Sequence, residues 1–301
     1  MNKNPAPISL IGAVVAITGG ARGIGNQAAR DFTSRGAIVV IGDLDEQATV
    51  DAAAAIGPRA RGFKLDVTDR ESFANFIATT EREVGPIDVL VNNAGIMPAG
   101  PFLEEPESVI DTQIDVNFRG PIIGMREMLP LMIKRGRGHV VNVASMAGKF
   151  PVPGLAVYSG TKHAVVGLSA SVRDELAGTG VSISTVMPNA VRTELTSGLP
   201  TERIGILKPE QVAEAIVASV DNRREEIAVP RWYSVYPALP VFLPTRLQAF
   251  LKKLLGVHRL LDHTRIDRKT RDKYDERIAG SSSRTTDSSS QDDSRDESKV
   301  A

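Results

Sequence analysis

Short, mainly apolar runs recur through the first 230 residues and are separated by longer stretches with the character of helices. A short apolar run is typical of a strand that is buried on both faces, as in a parallel sheet. The predicted strands lie at 13–17, 37–41, 61–67, 87–91, 139–144, 182–187 and 226–229. The predicted helices lie at about 24–35, 70–84, 106–135, 154–178 and 209–220. This alternation predicts an α/β fold with a single doubly wound parallel sheet of about seven strands.

The pattern changes after the last predicted strand. Residues 231–244 are aromatic and apolar but are broken by three prolines, which argues against a long helix there. An added helical extension is predicted beyond them, because apolar residues then recur at helical spacing with basic residues on other faces. The apolar positions are Leu247, Phe250, Leu251, Leu254, Leu255 and Leu261, and the basic ones are Arg246, Lys252, Lys253 and Arg259.

This extension has two interpretations. A basic amphipathic helix preceded by tryptophan and tyrosine is the pattern of an interfacial helix, which would bring 231–262 to a membrane surface. The alternative is that the apolar stripe packs on the core or on a second subunit, as any surface helix does. Residues 280–301 are rich in serine and aspartate, so we predict that this tail is disordered. The predicted domains are therefore 1–230, the extension 231–279 and the tail 280–301.

Composition narrows the classes of function. The 301 residues are 42% hydrophobic, enough for one substantial core, and the 36 basic residues balance the 36 acidic ones. A neutral balance argues against a nucleic-acid binder, and the lack of cysteine excludes disulfides and thiolate catalysis. No metal site is predicted, because the four histidines lack ligand spacing: His139, His163, His258 and His263. Neither a secretory signal nor an apolar run of about 18 residues is evident, so the expected location is the cytoplasm.

A glycine-rich stretch joins the first predicted strand to the first predicted helix. Its sequence at 18–25 is TGGARGIG, which places Gly19, Gly23 and Gly25 where the helix opens. Without a Cβ the backbone can approach a pyrophosphate, and the first amides of the helix then receive its charge. An ordinary glycine-rich turn is the alternative, but a strand before the stretch and a helix after it favour dinucleotide binding.

Two charged residues point to different dinucleotides. Asp43 lies just past the second strand, about 20 residues beyond the glycines, where an acid accepts both ribose hydroxyls of NAD and repels a 2′-phosphate. Asp43 could instead be a loop residue or a helix cap. Arg22 in the glycine stretch could meet the 2′-phosphate of NADP. We favour NAD and keep NADP as the alternative. Asp66 and Val67, at the end of the third strand, are candidates for contact with the adenine edge.

Polar residues also follow the fourth and fifth predicted strands. The sequence Asn92-Asn93-Ala94-Gly95 follows one of them, and Ser145 follows the other. Ligands bind in the crevice at the carboxyl ends of parallel strands, so these residues are candidates for the site. Asn117 is unfavourable in the middle of a helix, so it either points to solvent or has a function. The alternative for Ser145 is a capping role in a turn.

Tyr158 and Lys162 are four residues apart and share one face of a predicted helix. A buried ammonium beside a phenol favours the phenolate and lowers the pKa of the tyrosine. That change would make the phenol a proton donor and acceptor near neutral pH. The alternative is a pair on a solvated helix face.

Together these residues resemble the short-chain dehydrogenase/reductase family over about residues 8–230. The resemblance rests on TGGARGIG at 18–25, NNAG at 92–95, Asn117, Ser145, YSGTK at 158–162 and PNAVRT at 188–193. It implies a Rossmann-type fold, a catalytic tetrad of Asn117, Ser145, Tyr158 and Lys162, and hydride transfer between a nicotinamide cofactor and an alcohol or ketone. It also implies a homodimer or homotetramer built on the helices at 106–135 and 154–178. Asn189 departs from the family pattern, which has glycine after the proline.

The resemblance assigns the cofactor to residues along the whole crevice. They are Gly19, Arg22, Gly23, Ile24, Gly25, Asp43, Asp66, Val67, Asn93, Ala94, Gly95, Tyr158, Lys162, Pro188, Val191 and Thr193. Thr193 would contact the carboxamide of the nicotinamide.

The segment 194–208 is the expected substrate lid, and its apolar residues favour a lipophilic substrate such as a steroid-like, retinol-like or acyl-like alcohol or ketone. These residues are Leu195, Leu199, Ile204, Ile206 and Leu207. The alternatives to an enzyme are an NAD(H)-binding regulatory protein and a membrane-docking protein on the same fold. The complete tetrad favours the enzyme.

Overall fold

The computed structural model of the chain describes residues 7–199, 206–234, 267–272, 274–276 and 278. Its strands are β1 (Val14–Thr18), β2 (Ile38–Asp43), β3 (Ala60–Lys64), β4 (Ile87–Asn92), β5 (Gly138–Val143), β6 (Val181–Pro188) and β7 (Glu226–Val229). Its α-helices are α1 (Gly23–Ser34), α2 (Glu46–Ile56), α3 (Arg70–Glu83), α4 (Glu107–Ile114), α5 (Gly120–Arg135), α6 (Ala156–Glu175) and α7 (Pro209–Asn222). The predicted amphipathic stripe at 247–261, the tail at 280–301 and Ile204 lie outside the described residues.

The strands form one seven-stranded parallel sheet in the order β3-β2-β1-β4-β5-β6-β7. The order reverses between β1 and β4, because the chain runs outward through β2 and β3 and then crosses to the other side of β1. The carboxyl ends of β1 and β4 therefore border the crevice in which a doubly wound sheet binds its ligands. The predicted fold class is confirmed.

Helices cover both faces of the sheet, which is why its strands are apolar at successive positions. In β1, Val15 and Ile17 face the core under α1 and α7, whereas Val14 and Ala16 face the core under α3 and α5. The first core is filled by Phe32 from α1 and by apolar residues of α7. Residues of α3 and α5 fill the second core in the same way.

Helix α2 was not among the predicted elements. Its buried residues are Thr49 and Ala53, so it lacks the broad stripe of large apolar residues that marks a packed helix. Asp45 begins it by accepting a hydrogen bond from the amide of Ala48 at 3.0 Å. The helix therefore forms by local capping and packs with small side chains.

Two boundaries differ from the prediction in a way that bears on the site. β3 ends at Lys64 instead of Val67, because the carboxylate of Asp66 accepts hydrogen bonds from the amide and hydroxyl of Thr68 and turns the chain. Asp69 then caps α3 by accepting from the amide of Glu71 at 2.9 Å. The long helix predicted at 106–135 is interrupted by a π-helical turn, Asp115–Arg119.

Within the described ranges, no helix combines the length and apolarity that a membrane crossing requires.

Candidate active site

The glycine stretch forms a tight turn against the end of β4. Gly19 and Gly23 have φ angles of +64° and +57°, which side chains rarely tolerate. A Cβ at Gly25 would lie 2.3 Å from the carbonyl oxygen of Gly19 and 2.6 Å from Nδ2 of Asn93. Asn93 Nδ2 donates to the carbonyl oxygens of Thr18 and Gly19 at 2.9 and 3.0 Å. The turn therefore depends on glycine and is held from the neighbouring strand.

The same turn fits the pyrophosphate of a dinucleotide. The first amides of any helix lack intrahelical acceptors, and those of α1 open directly from the glycine turn. The hydroxyl of Thr18 accepts from the amides of Asn93 and Ala94, both at 3.0 Å, and so joins the ends of β1 and β4. Ile24 packs against the core under α1. Bare backbone at a helix N-terminus is the arrangement that a dinucleotide needs.

Asp43 ends β2 and turns toward the glycine stretch. Its carboxylate accepts from the amide of Ala21 at 3.2 Å and from the amide of Leu44 at 2.9 Å. Burial raises the pKa of Asp43, and the two amide hydrogen bonds oppose that shift. The helix-cap alternative for Asp43 is wrong, because Asp45 caps α2.

Arg22 is held by acids on two sides. Its Nη2 lies 3.1 Å from Oδ2 of Asp45, and its Nη1 lies 3.9 Å from Oε2 of Glu194. All three side chains are about half exposed, so each pair contributes little to stability. The pairs nevertheless direct the guanidinium toward protein carboxylates.

Asn117 is fully buried in the π-helical turn between α4 and α5. Its Oδ1 accepts from the amide of Ile96 at 2.8 Å, and its Nδ2 donates to the carbonyl of Ile96 at 2.8 Å. Nδ2 also reaches Oγ1 of Thr161, on α6, at 3.4 Å. The alternative in which Asn117 points to solvent is therefore wrong.

Ser145, Tyr158 and Lys162 meet beside this asparagine. The Ser145 hydroxyl accepts from the amide of Ala147 at 3.1 Å, so it does cap a turn, and it donates to the carbonyl of Pro188 at 3.4 Å. Lys162 Nζ donates to the carbonyl of Val143 at 3.1 Å and lies 5.6 Å from the centre of the Tyr158 ring. A Cβ at Gly95 would lie 3.1 Å from Asn117 Oδ1 and 3.5 Å from Lys162 Nζ. Only a glycine leaves the space between these groups open.

The pKa of Tyr158 is not lowered, contrary to the prediction. Burial raises it to about 12, and the neighbouring Ser145 side chain opposes the rise. Burial also lowers the pKa of Lys162 to about 8. The ammonium is directed at a backbone carbonyl, and the cost of burying a charge outweighs its attraction for the phenolate.

Replacing Lys162 with methionine is expected to raise the melting temperature at pH 7, without added dinucleotide, by about 5 °C. A pKa lowered from 10.5 to about 8 corresponds to on the order of 3 kcal/mol against the charged form. Below pH 8 the lysine is charged in both the folded and the unfolded chain, and this cost is fully present. Between about pH 8 and 10.5 the unfolded chain holds more protons, so the wild-type stability rises with pH.

Thermal melts of the wild type and Lys162→Met from pH 7 to 10.5 test this expectation. The melting temperature of the variant should exceed that of the wild type by less and less as the pH rises. Lys134→Met, on the exposed face of α5, is the matched control and should change little. A lower melting temperature for Lys162→Met at pH 7 would mean that the hydrogen bond to Val143 outweighs the burial cost.

An apolar cluster surrounds Tyr158. Met97, Ala147, Leu155 and Leu199 are buried with it, and Ala99, Val152 and Leu195 pack against them. Two of the predicted lid residues, Leu195 and Leu199, are therefore brought to the tyrosine. Leu207 instead packs in the core under α7, and Ile206 is 37% exposed.

The remaining predicted cofactor residues make contacts in several parts of the crevice. Thr193 lies over the glycine stretch, with its Cγ2 3.4 Å from where a Cβ of Gly23 would be. Pro188 ends β6, and Val191 is buried and bridges to Leu207. Val67 packs on Gly120 at the start of α5, and the Asp66 carboxylate is engaged by Thr68. Asn189, which departs from the family pattern, donates from Nδ2 to the hydroxyl of Tyr233 at 3.3 Å.

Sequence reasoning missed three residues near the site. Thr161 donates to the carbonyl of Tyr158 at 2.8 Å and contacts Asn117. Arg271 and Tyr274, from the far end of the chain, are buried against the residues around Met97. Their surroundings in sequence are highly charged, which is typical of a solvated segment. The one available signal was that Arg271, Tyr274 and Ile278 share a helical face.

Comparisons with known proteins agree with this geometry. The sequence profile described as short chain dehydrogenase matches residues 13–203. Estradiol 17-beta-dehydrogenase 11 of Mus musculus is 31% identical over 255 residues, which are 83% of this chain and 86% of that protein. A short chain dehydrogenase/reductase from Burkholderia phymatum, solved in complex with NAD, has a TM-score of 0.72 and 26% identity and covers 77% of this chain and 94% of its own. The 3-ketoacyl-(acyl-carrier-protein) reductase from Brucella melitensis, complexed with NADH, has a TM-score of 0.69 and 29% identity over 73% of this chain and 98% of its own.

Proposed function

The chain belongs to the short chain dehydrogenase family, and from that premise we propose that it is an NAD-dependent oxidoreductase for an apolar, steroid-like secondary alcohol or ketone. The observation that carries the proposal is the group of Ser145, Tyr158 and Lys162, which packs beside an apolar cluster and next to Gly95. Gly95 follows Asn93, whose side chain holds the glycine turn at 18–25. A proton-transfer group beside both an apolar pocket and a dinucleotide cradle is suited to moving a hydride and a proton together.

The tetrad residues have separate roles in this proposal. A phenol with a pKa raised by burial is protonated at neutral pH, which is the form that donates a proton to a carbonyl oxygen in reduction. In the reverse direction the phenolate form of Tyr158 takes the proton of the alcohol as the hydride leaves its carbon. Ser145, whose side chain is close enough to Tyr158 to affect the pKa of the phenol, orients the same substrate oxygen. Lys162 places a positive charge beside the phenol. A nicotinamide held in this crevice would supply the hydride in reduction and accept it in oxidation.

Asn117 has a positioning role. With both of its polar groups on the backbone of Ile96, it holds the chain after β4 against the helix that carries the tyrosine. Its contact with Thr161 links it to that helix directly.

The apolar cluster supports the class of substrate. A sugar phosphate bound among Met97, Leu155 and Leu199 would lose its hydration without gaining partners from these side chains. An apolar substrate gains by burial there and needs a polar contact only at its reacting oxygen. The name of the similar estradiol dehydrogenase agrees with this class.

The charges around the cradle support NAD as the dinucleotide. Asp43 is directed at the glycine stretch, where its carboxylate favours a ribose diol and repels a phosphate. Arg22, the residue that argued for NADP, is engaged by Asp45 and Glu194. The two similar structures were solved with NAD and NADH.

Two further predictions from the sequence stay predictions. Membrane contact through 231–262 involves a range of which the structure describes 231–234, where Trp232 is 66% exposed and stacks on Tyr233 at 4.0 Å between ring centres. Assembly into a dimer or tetramer through the helices at 106–135 and 154–178 is the other.

NAD⁺ reduction against secondary alcohols graded from short polyols to estradiol and long-chain 3-hydroxy lipids tests the proposal, with NADP⁺ in parallel. We expect turnover at the apolar end of the series and a kcat/KM for NADP⁺ at least about tenfold below that for NAD⁺, because a 2′-phosphate would meet Asp43. Turnover confined to polyols would contradict the substrate class. Preference for NADP⁺ would contradict the role of Asp43, and NAD binding without turnover of any alcohol would contradict the enzyme.

A further inference from the structure

The C-terminal segment (267–272, 274–276 and 278) packs against the candidate active site. Arg271 is 1% exposed, although Arg268 and Lys269 beside it in the same helix are exposed. Its Nη1 donates to the carbonyl of Leu195 at 2.7 Å and reaches that of Ser197 at 3.4 Å, and its Nη2 donates to the carbonyl of Met97. A single guanidinium thus joins two loops that are far apart in sequence. The first is the loop after β4 that contains Met97, and the second is the loop at 195–199.

Tyr274 contacts the first of these loops. Its hydroxyl accepts from the amide of Met97 at 2.9 Å, across 177 residues of sequence. Its ring lies 4.3 Å from the guanidinium carbon of Arg271 and is itself buried. Both backbone polar groups of Met97 are therefore bound by the C-terminal segment.

Ile96, the residue before Met97, is held by a different part of the site. Both backbone polar groups of Ile96 are taken by Asn117, one of the proposed tetrad. Ile96 and Met97 form a short bridge between the π-helical turn that carries Asn117 and the C-terminal segment. A displacement of Met97 is thereby transmitted to Asn117 and to the apolar cluster around Tyr158, of which Met97 is a member.

The second loop, 195–199, contributes Leu195 and Leu199 to that cluster. Besides the bonds from Arg271 to Leu195 and Ser197, the amide of Asp267 donates to the carbonyl of Gly198 at 2.9 Å. Gly198 has a φ of +74°, and a Cβ there would lie 2.7 Å from the carbonyl oxygen of Asp267. The C-terminal segment therefore fits closely against the residues just before Leu199, which packs beside Tyr158.

A buried arginine is an unusual choice for anchoring a helix. An apolar side chain would anchor the segment without the cost of burying a charge. The guanidinium instead presents a rigid fork of donors, which suits it to several carbonyl oxygens at once. Asp275, 3.2 Å from Nε, and the Tyr274 ring offset part of the burial cost. This arrangement serves to hold two loops in one geometry.

We propose that Arg271 and Tyr274 are positioning residues of the active site, and that through Met97 and the loop at 195–199 they set the size of substrate that reaches Tyr158. The inference rests on the proposed function, because it assigns the substrate to the pocket around that tyrosine. Bulky substrates depend on the outer wall formed by the two loops, whereas short alcohols use only the reacting centre.

Tyr274→Phe and Arg271→Lys, made in the full chain, test the proposal. The first removes one hydroxyl and keeps the ring, and the second keeps the charge and loses the fork. Arg268→Lys, the same change on an exposed neighbour, is the matched control. The measurements are hydrogen exchange of the Met97 amide, binding of estradiol to the NADH complex by calorimetry, and kcat and KM for estradiol and for 2-propanol.

We expect the Met97 amide to exchange at least about tenfold faster in Tyr274→Phe, because its acceptor is lost. In both variants the KM for estradiol should rise about tenfold relative to that for 2-propanol, the affinity for estradiol should fall by the same factor, and Arg268→Lys should match the wild type. If the Met97 amide exchanged faster but the ratio of the KM for estradiol to the KM for 2-propanol did not change, the proposal would be overturned. The contact would then have a structural role only. Equal losses for both substrates would overturn it as well.

The outcome is separable from that of the proposed function. If the wild type turns over no alcohol, the proposed function fails, and exchange together with estradiol binding still decides the positioning role. If the wild type is active, and the variants keep both its ratio of KM for estradiol to KM for 2-propanol and its affinity for estradiol, only the positioning role fails.

Discussion

Replacing Tyr158 with phenylalanine is expected to lower kcat for alcohol oxidation by at least about 1,000-fold while the affinity for NADH stays within about twofold of wild type. The substitution removes only the hydroxyl that carries the proton in the proposed reaction. The ring remains in the apolar cluster with Leu155 and Leu199, so the pocket keeps its shape. Steady-state kinetics with the best alcohol of the series give kcat, and titration of NADH fluorescence gives the affinity for NADH.

The control is the same change at Tyr233, whose hydroxyl accepts from Asn189 outside the tetrad. That variant should keep most of the activity. If Tyr158→Phe lost NADH binding together with turnover, the tyrosine would be a structural residue. If it kept a tenth or more of the wild-type kcat, another group would have to move the proton.

Replacing Gly25 with alanine is expected to weaken NADH binding by roughly 10- to 100-fold and to lower the melting temperature by several degrees. The added Cβ would lie 2.3 Å from the carbonyl oxygen of Gly19 and 2.6 Å from Nδ2 of Asn93. Neither atom is at the end of a flexible side chain that is free to move, because the amide of Asn93 is bonded to the turn itself. The glycine turn has to shift, and the amides that it presents shift with it.

Gly167→Ala in α6 is the matched control. Among the described residues, a Cβ at that position meets no atom within 4 Å, so the change should stabilise the helix by about 1 kcal/mol. Calorimetric titration with NADH and thermal melts of the two variants give the comparison. Wild-type affinity in Gly25→Ala would show that the turn at 18–25 is not the dinucleotide cradle.

Much of the fold was predictable because its signals are local. The strands of this sheet are covered by helices on both faces, so their apolar runs stand out in the sequence. α2 was missed because its packing uses small side chains, and the end of β3 was overestimated because the side chain of Asp66 turns the chain. Both errors arise where capping by a short polar side chain, and not burial, determines the structure.

The candidate site divides in the same way. The order of the strands brings Gly25, Asn93, Ser145 and Tyr158 to one edge of the sheet, and each of them follows or borders a recognisable strand or helix. The pKa of Tyr158 was predicted in the wrong direction, because it depends on how deeply the phenol is buried and on where Lys162 directs its ammonium. Spacing along a helix places the two residues on one face and says nothing of either quantity.

By itself, the sequence determined the alternation of strands and helices, the glycine cradle and the set of polar residues at the strand ends, because each is specified by neighbours a few residues away. Only the tertiary structure decided that Arg22 is held by Asp45 and Glu194, that Asn117 grips Ile96, and that Arg271 and Tyr274 reach the active site. These contacts join residues that are 21 to 177 positions apart. The periodicity of apolar residues indicates which face of a helix or strand is buried. The path of the whole chain determines which residues pack against that face.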